Sequence, residues 1–182
     1  EEIRFEGLER SFDIWSSMLG GTEPVKFRDL LRNGRSFVFV LEFMKWLLRL
    51  SPHTLPAIVL ASTEWTATCL PSRTQKFITL GDCLRDALVT SLRGDGVMLM
   101  PSYSSVAPGH YRPLLRPLDF VYTGILNVMG LPVTQVPLGV GARGLPLGVQ
   151  VVASHAQDHR TIAVARVLEE EFGGWVFPYG RP

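Results

Sequence analysis

The sequence predicts an α/β fold in which mixed sheet strands are flanked by helices and the N-terminal half is mainly helical. Apolar residues recur at helical spacing through residues 1–92, whereas short apolar strands alternate with helices through residues 93–182. The composition is 46% apolar and only 19% charged, which is too apolar for a disordered chain. A length of 182 residues is typical of one domain, and the low charge is typical of a piece of a larger core.

The first predicted helix covers Phe5–Leu19, where apolar side chains recur near helical spacing. We expect Gly20-Gly21 to end it, because glycine favours the left-handed position after a helix. A short helix is predicted over Phe27–Leu31 and is closed by Asn33-Gly34.

The next predicted helix, Phe37–Leu50, is capped by Ser36 and is apolar except for three charges that share one face, Glu42, Lys45 and Arg49. It is too short to cross a bilayer, which needs about 20 residues. After Pro52, a second helix is predicted from Leu55 to Trp65. The pair fits either a buried helical hairpin or a cap that forms an apolar substrate channel or rests on a membrane.

The second half is predicted to alternate strands and helices after a long helix that is capped by Ser72 or Thr74 and ends at Leu92. Short apolar strands are typical of a sheet that is covered on both faces, and the alternation favours a mixed or parallel sheet. The expected strands are Val97–Met100, Val133–Val136 and Leu147–Ala153, and the expected helices are Leu118–Met129 and Asp158–Phe172, the latter capped by Asp158.

Charge and cysteine content exclude several classes of function. The net charge is +1 and the basic residues are scattered, so we expect no nucleic-acid partner. Cys69 and Cys83 are too few for a disulfide framework or a zinc site, and they fit a reducing compartment or ordinary buried thiols.

Two short motifs resemble ligand sites but lack the context that such sites need. Gly139–Gly144 matches the G-x-G-x-x-G pattern, yet a second strand follows it where a dinucleotide site needs a helix, so a hairpin loop is predicted. His155 and His159 are four residues apart but lack the intervening glutamate and a third ligand of a zinc site. We therefore predict no cofactor and no metal site.

The loop Pro101–Pro117 holds the remaining candidates for chemistry. Ser102, Ser104 and Ser105 lie close to His110, but a nucleophilic serine needs a placed base and an oxyanion hole, and no G-x-S-x-G elbow is present. We expect this loop to form the wall of a pocket rather than a catalytic triad.

A series of Gly, Pro and polar positions resembles the C-terminal portion of the amidase-signature hydrolases. The likeness covers about residues 95–177 and is densest between Asn127 and Asp158. The matching segments, in chain order, are Leu99–Pro101, Asn127, Gly130–Pro132, Val136–Gly139, Gly144–Gln150 and the helix that follows Asp158. The glycines would allow tight turns, and Asn127 and Gln150 are expected to hydrogen-bond in apolar surroundings.

The resemblance implies that residues 1–182 form the C-terminal part of a single amidase domain. Residues 1–92 would then be an apolar pocket or membrane-cap region, and residues 93–182 a sheet-forming region. The family uses a lysine and two serines for catalysis, and no residue here matches that triad; Lys26, Lys45 and Lys76 lie in helical or apolar contexts unlike the family's base. We therefore assign no catalytic residue, and the substrate-binding residues are undefined.

Within the family, the helical half most resembles the fatty-acid amide hydrolases, especially those of the second, human-type group. This implies an intact enzyme that hydrolyses primary fatty amides and N-acylethanolamines to fatty acid and amine, and that is intracellular and associated with membrane or lipid. This chain alone is predicted to be inactive. The alternative is a non-catalytic truncated isoform or degenerate copy that binds lipid, a membrane surface or a protein partner.

Overall fold

The protein divides into two compact units, which we describe separately. A computed structural model describes residues 3–22, 27–32, 38–93 and 95–176. One unit comprises Glu1–Phe12 with Asp82–Pro182, and the other comprises Asp13–Gly81. The boundary at Gly81 lies inside a helix, so this helix contributes residues to each unit.

Helices build the unit Asp13–Gly81 and confirm the predicted helical character of the N-terminal half. They are α1 Ser11–Thr22, α2 Phe27–Arg32, α3 Phe39–Leu47, α4 Leu55–Cys69 and α5 Pro71–Leu92, which continues into the other unit. The predictions for Ser36, Phe37 and Asn33-Gly34 lie outside the described residues.

Several boundaries predicted for these helices are wrong. A short 3-10 helix, Leu8–Arg10, precedes α1, and α1 continues through Gly20-Gly21 to Thr22. A glycine ends a helix where the chain needs the left-handed conformation, and both glycines here keep helical structure instead. Helix α5 begins at Pro71, so Ser72 and Thr74 are helical residues and not caps, because proline fits the first turn of a helix.

The core of this unit is small and closely packed. Ile14, Met18, Ile58 and Ala61 are buried, and α4 packs against both α2 and α3. Gly81 on α5 lies against Ile14 and Met18 so closely that a methyl group at Gly81 would stand 2.8 Å from the Ile14 Cγ2 atom. The glycine is therefore required by packing at this crossing of two helices.

Three strands form an antiparallel sheet in the order β1-β3-β2. They are β1 Val97–Pro101, β2 Val133–Val140 and β3 Pro146–Ala153. The central strand β3 pairs Val151 with Leu99 on one side and with Thr134 on the other. Among the described residues every pairing is antiparallel, whereas the alternation of elements favoured a mixed or parallel sheet. The β2–β3 hairpin explains the difference, because a short turn can join only antiparallel strands.

Helices α6 Val121–Met129 and α7 Asp158–Phe172 complete the sheet unit. The α6 helix ends at Gly130, which has a φ of 67°, as expected for a glycine that follows a helix. The α7 helix packs on β2 and β3, and the hydroxyl groups of Thr134 and Thr161 lie 2.7 Å apart across that contact. Asp158 is the first residue of α7 and not its cap, so that prediction is wrong.

The observed combination of helices with a small sheet confirms the predicted fold class. The buried side chains of the sheet unit come mainly from α6 and from the C-terminal half of β3, including Ile125, Leu126, Val151 and Val152. The N-terminal half of β3 is exposed at Pro146, Leu147 and Gly148. This exposed end of the hairpin faces the loop that follows β1.

Candidate functional site

The loop between β1 and α6 forms the shared wall of two cavities, as the sequence predicted for Pro101–Pro117. The larger cavity has a volume of about 590 Å³, and we call it the arginine cleft. It is lined by Tyr103, residues 105–109, Arg112, Arg116, Arg143 and Leu145.

The smaller cavity lies on the other side of the same loop segment and has a volume of about 280 Å³. It is lined by Ser102, Tyr103, residues 105–107, Gln135 and residues 146–148. Since residues 105–107 and Tyr103 line both cavities, a change in this segment would alter both.

Two side-chain contacts hold the loop in place. The Ser102 hydroxyl donates to the side-chain carbonyl of Gln135 on β2. The Ser104 hydroxyl donates to an Asp119 carboxylate oxygen at 2.5 Å, and the Arg116 Nε atom lies 3.2 Å from the same oxygen. The loop is therefore fixed to the sheet at one end and to the start of α6 at the other.

The three serines of this loop are not arranged as nucleophiles. Ser102 and Ser104 donate their protons to the fixed acceptors described above, and Ser105 donates to the Val106 carbonyl at 3.1 Å. A nucleophilic serine must donate to a general base, and in the described part of the chain no histidine accepts from any of the three. His110 is exposed on the loop.

The segment Gly139–Gly144 is a hairpin loop, as the sequence predicted. Strand β2 runs to Val140, and the turn closes with a hydrogen bond of 2.9 Å from the Gly141 amide to the Leu145 carbonyl. Gly144 has a φ of 72°, a conformation that glycine adopts without strain. The glycines therefore serve the turn, and Arg143 is carried at its tip.

Gly148 gives room to the amide that anchors the loop. A methyl group at Gly148 would overlap the Gln135 side-chain nitrogen and would stand 2.9 Å from the Val136 carbonyl oxygen. The side chain of Gln135 can cross the hairpin to reach Ser102 only because residue 148 has no Cβ atom. This is the close approach that the sequence analysis expected of the motif glycines.

The two polar positions singled out by the sequence differ in the structure. Gln150 is buried, and its side-chain amide donates to the Pro101 carbonyl at 3.0 Å and to the Tyr122 carbonyl at 3.2 Å, which confirms its predicted role. It links β3 to the end of β1 and to α6. Asn127 is exposed on α6, so its predicted apolar surroundings are wrong. Its position on the helix could not show which side faces solvent.

The histidine pair separates into one bonded and one surface side chain. His155 is exposed, and its Nδ1 atom lies 3.0 Å from the Gly130 carbonyl oxygen, which connects the loop after β3 to the end of α6. His159 is exposed in the first turn of α7. Within the described ranges, no three histidine, cysteine or acidic side chains are grouped so that they could hold a metal ion. The Cys83 thiol is exposed on α5, so the expectation of a buried thiol is wrong there.

Lysine side chains of the described residues are not placed as general bases. The Lys45 ammonium lies 2.7 Å from the Glu42 carboxylate, and Glu42 is buried. The hydrogen bond from Lys45 lowers the pKa of Glu42, burial opposes this effect, and a hydrogen bond from Ser51 lowers the pKa further. Lys76 is exposed on α5, and Lys26 lies outside the described residues.

Helix α3 presents its polar side inward and an apolar side outward. The chain turns back after α3 at Arg49, which has a φ of 59°, and the Ser51 hydroxyl donates to Glu42 at 3.0 Å. The charges therefore do not form a solvent face as their spacing suggested. The outward residues, which we call the α3 apolar face, are Val40, Leu41, Met44, Leu47 and Leu48. Across the described ranges, each helix is either shorter or more polar than a segment that crosses a bilayer.

Sequence reasoning missed the convergence of three arginines on one cleft. Arg112 belongs to a short 3-10 helix, Arg112–Leu115, Arg116 follows it directly, and Arg143 comes from the hairpin tip. The spacing of Arg112 and Arg116 was visible in the sequence. The approach of Arg143 depends on how the hairpin folds against the loop, and no local pattern signals it.

Comparison with known proteins identifies close relatives of the chain. No protein-family profile matches it. The chain is 47% identical to fatty-acid amide hydrolase 2 of Homo sapiens over 184 aligned positions, which cover 98% of this chain and 35% of that protein. It is 44% identical to fatty-acid amide hydrolase 2-B of Danio rerio over 98% of this chain and 34% of that protein. The chain thus spans about a third of the length of these curated relatives.

More distant similarities point to the same fold. A glutamyl-tRNA(Gln) amidotransferase polypeptide from Beijerinckia indica is 34% identical over 102 residues, which is 53% of this chain and 20% of that protein. A crystal structure of an amidase superposes with a TM-score of 0.56 at 19% identity, covering 92% of this chain and 36% of the other. The crystal structure of the corresponding amidotransferase polypeptide from Thermotoga maritima superposes with a TM-score of 0.53 at 21% identity, covering 98% of this chain and 43% of the other.

Proposed function

We propose that this chain, a homologue of about a third of fatty-acid amide hydrolase 2 with the fold of part of an amidase-signature enzyme, is the C-terminal portion of a serine amidase that hydrolyses fatty-acid amides. The substrates would be primary amides and N-acylethanolamines, which yield a fatty acid and an amine. The observation that carries the proposal is the 47% identity sustained over 98% of the chain.

The surface of the sheet unit supports a role as one part of a larger fold. Both β1 and β2 are edge strands of a sheet that has three strands within the described residues, and Leu99 on β1 is 52% exposed. An open apolar edge is a template for pairing with another strand. Phe172 and Trp175 near the end of α7 are also exposed. The remaining two thirds of an amidase would cover such surfaces.

The chemistry of the described side chains supports the proposal that the chain alone is inactive. The hydroxyls of Ser102, Ser104 and Ser105 donate to fixed oxygen acceptors, as described above. Lys45 is bound to Glu42, and this contact favours the protonated ammonium. A lysine held in that form cannot accept a proton from a serine, so the catalytic groups would have to come from elsewhere in the intact enzyme.

A serine-directed fluorophosphonate probe tests this function. We would label native source material and then blot for a peptide within residues 158–175. The expected result is a labelled band well above the 20.3 kDa of this chain, together with no amide hydrolysis and no labelling of the purified 182-residue protein. Labelling of the purified chain would refute the inactivity. An unlabelled band near 20.3 kDa in the source would favour the alternative, a non-catalytic truncated protein.

The α3 apolar face favours a second role, contact with a membrane surface or with the acyl chain of the substrate. Val40 is 66% exposed and Leu47 is 60% exposed, while the charged Glu42 points inward. Exposing these side chains to water is unfavourable, and each could contribute about 1.5–3 kcal/mol if a lipid phase covered it. We propose that the intact enzyme is associated with membrane or lipid through this face.

Vesicle cosedimentation of the full chain tests the membrane contact. Leu47→Glu should reduce binding to phosphatidylcholine vesicles about tenfold or more, because it places a charge on the α3 apolar face. The matched control is Leu30→Glu, which changes a similarly exposed leucine on α2. Equal loss in both variants, or no cosedimentation of the unmodified chain, would remove the membrane role and leave the acyl chain as the occupant of this face.

A further inference from the structure

The arginine cleft carries an excess of positive charge that no other feature of the described residues neutralises fully. Arg112, Arg116 and Arg143 line it, and none of its lining residues is acidic. In the described part of the chain, Arg112 and Arg143 form no ion pair, and Arg116 shares Asp119 with the Ser104 hydroxyl. The whole protein has a net charge of only +1, so this is a local concentration of charge.

The backbone that presents these arginines is held on both sides. Tyr111 precedes the 3-10 helix with a φ of 66°, and Gly144 follows Arg143 with a φ of 72°, so Arg112 and Arg143 each lie beside a tight turn. The anchors Ser104–Asp119 and Ser102–Gln135 hold the loop that lies between them. A cleft whose walls are fixed in this way loses less entropy when it binds a ligand.

We propose that the arginine cleft is a binding site for an amphiphile with an oxyanion head group. Guanidinium groups pair with carboxylates and phosphates through two parallel hydrogen bonds, and charge collected in a concave site attracts anions. Val106, Pro108 and Leu145 supply apolar wall beside the arginines. A volume of about 590 Å³ suits a ligand of drug-like size, such as a medium-chain fatty acid or an alkyl phosphate.

Isothermal titration of the full 182-residue chain with three ligands of equal chain length tests the site. Octanoate and octyl phosphate carry the proposed head groups, and octanamide is the neutral control. We expect saturable binding of at least one anion, at least about tenfold weaker binding of octanamide, and a clear loss of anion affinity at about 1 M salt, where the screening length falls to about 3 Å. The anion that binds more tightly identifies the head group, carboxylate or phosphate.

Charge variants connect the binding to the cleft. Arg112→Gln and Arg143→Gln should each weaken anion binding about tenfold, because each removes a charged hydrogen-bond donor. Arg143→Lys should lose part of this affinity, since it keeps the charge but not the paired donors. Arg166→Gln on α7 lies outside the cleft lining and should bind as the unmodified chain does, and circular dichroism of each variant reports its folding.

Three outcomes would overturn the proposal: octanamide binding as tightly as the anions, no saturable anion binding, or equal weakening in the Arg166→Gln control. The site does not depend on the proposed amidase function. The titration measures binding by this chain alone, whereas the fluorophosphonate experiment measures catalysis in the native source, so either can fail without the other.

Discussion

Replacing Gly81 by alanine sets helix propensity against packing at one position. Alanine stabilises a helix interior by about 1 kcal/mol relative to glycine, so at an open site Gly81→Ala would be favourable. Here the new methyl carbon would stand 2.6 Å from the Met18 Sδ atom and 2.8 Å from the Ile14 Cγ2 atom. The Met18 side chain can move, but Ile14 is fully buried and β-branched, so its methyl group cannot turn away.

The packing cost at Gly81 should exceed the gain in helix propensity. Overpacking of a core costs about 1–3 kcal/mol, which leaves a net destabilisation of about 1 kcal/mol after the gain from alanine is subtracted. For a chain of this size, that corresponds to a melting temperature lower by about 2–4 °C. Denaturant unfolding followed by circular dichroism measures the change directly.

Two further variants separate the opposing effects. Thr90→Ala, at an exposed position of the same helix, gains helix propensity without a clash and should be neutral or slightly stabilising. Combining Gly81→Ala with Met18→Ala should cost less than the sum of the single changes, because the smaller side chain relieves one of the two contacts. If Gly81→Ala proved as stable as the unmodified chain or more stable, the crossing of α1 and α5 at Gly81 would not be as close as described.

Two polar side chains give further predictions. Glu42→Gln should lower the free energy of unfolding by about 1 kcal/mol at pH 7; because its hydrogen bonds lower the pKa of Glu42, the stability it adds is complete above the ordinary glutamate pKa of 4.5 and is lost as the pH falls below it. The difference between the two proteins in denaturant unfolding should therefore shrink toward about pH 3, unlike that of the exposed control Glu170→Gln, and a constant difference would contradict an ionised role. Gln150→Leu should cost about 1–3 kcal/mol in the same assay, because it leaves the buried end of β1 and α6 without a donor. Asn127→Leu, at an exposed site, should cost much less, and similar costs for both would show that Gln150 is not the link between β1, β3 and α6.

Most of the elements were accessible from local sequence patterns. The hairpin at Gly139–Gly144 follows from glycines placed between two apolar runs, and the strands and helices of residues 93–182 follow from their periodicity and turn residues. The errors fall where a residue has two local uses. Gly20-Gly21 can end a helix or continue one, and Asp158 can cap a helix or begin it, and only the tertiary context selects between them.

The candidate site was accessible only in part. The loop Pro101–Pro117 was predicted to form a pocket wall, because its prolines, glycines and serines exclude regular structure. Its serines were predicted not to be catalytic, and the structure supplies the reason, since Ser102 and Ser104 are bound to Gln135 and Asp119. These acceptors lie 33 and 15 residues away in sequence, and a pairing at that distance leaves no periodic signal in the chain.

The homology, the order of helices and strands, and the glycine turns could be recognised in the chain alone, because each depends on residue identity and short-range spacing. The inward position of Glu42, the outward position of Val40 and Leu47, and the meeting of Arg143 with Arg112 at one cleft became visible only in the folded protein. An almost wholly apolar helix has no strong periodic preference for one side, so distant contacts such as that of Ser51 with Glu42 select its orientation. Convergence of charges likewise depends on how the loop and the hairpin pack, which is a property of long-range contacts and not of local pattern.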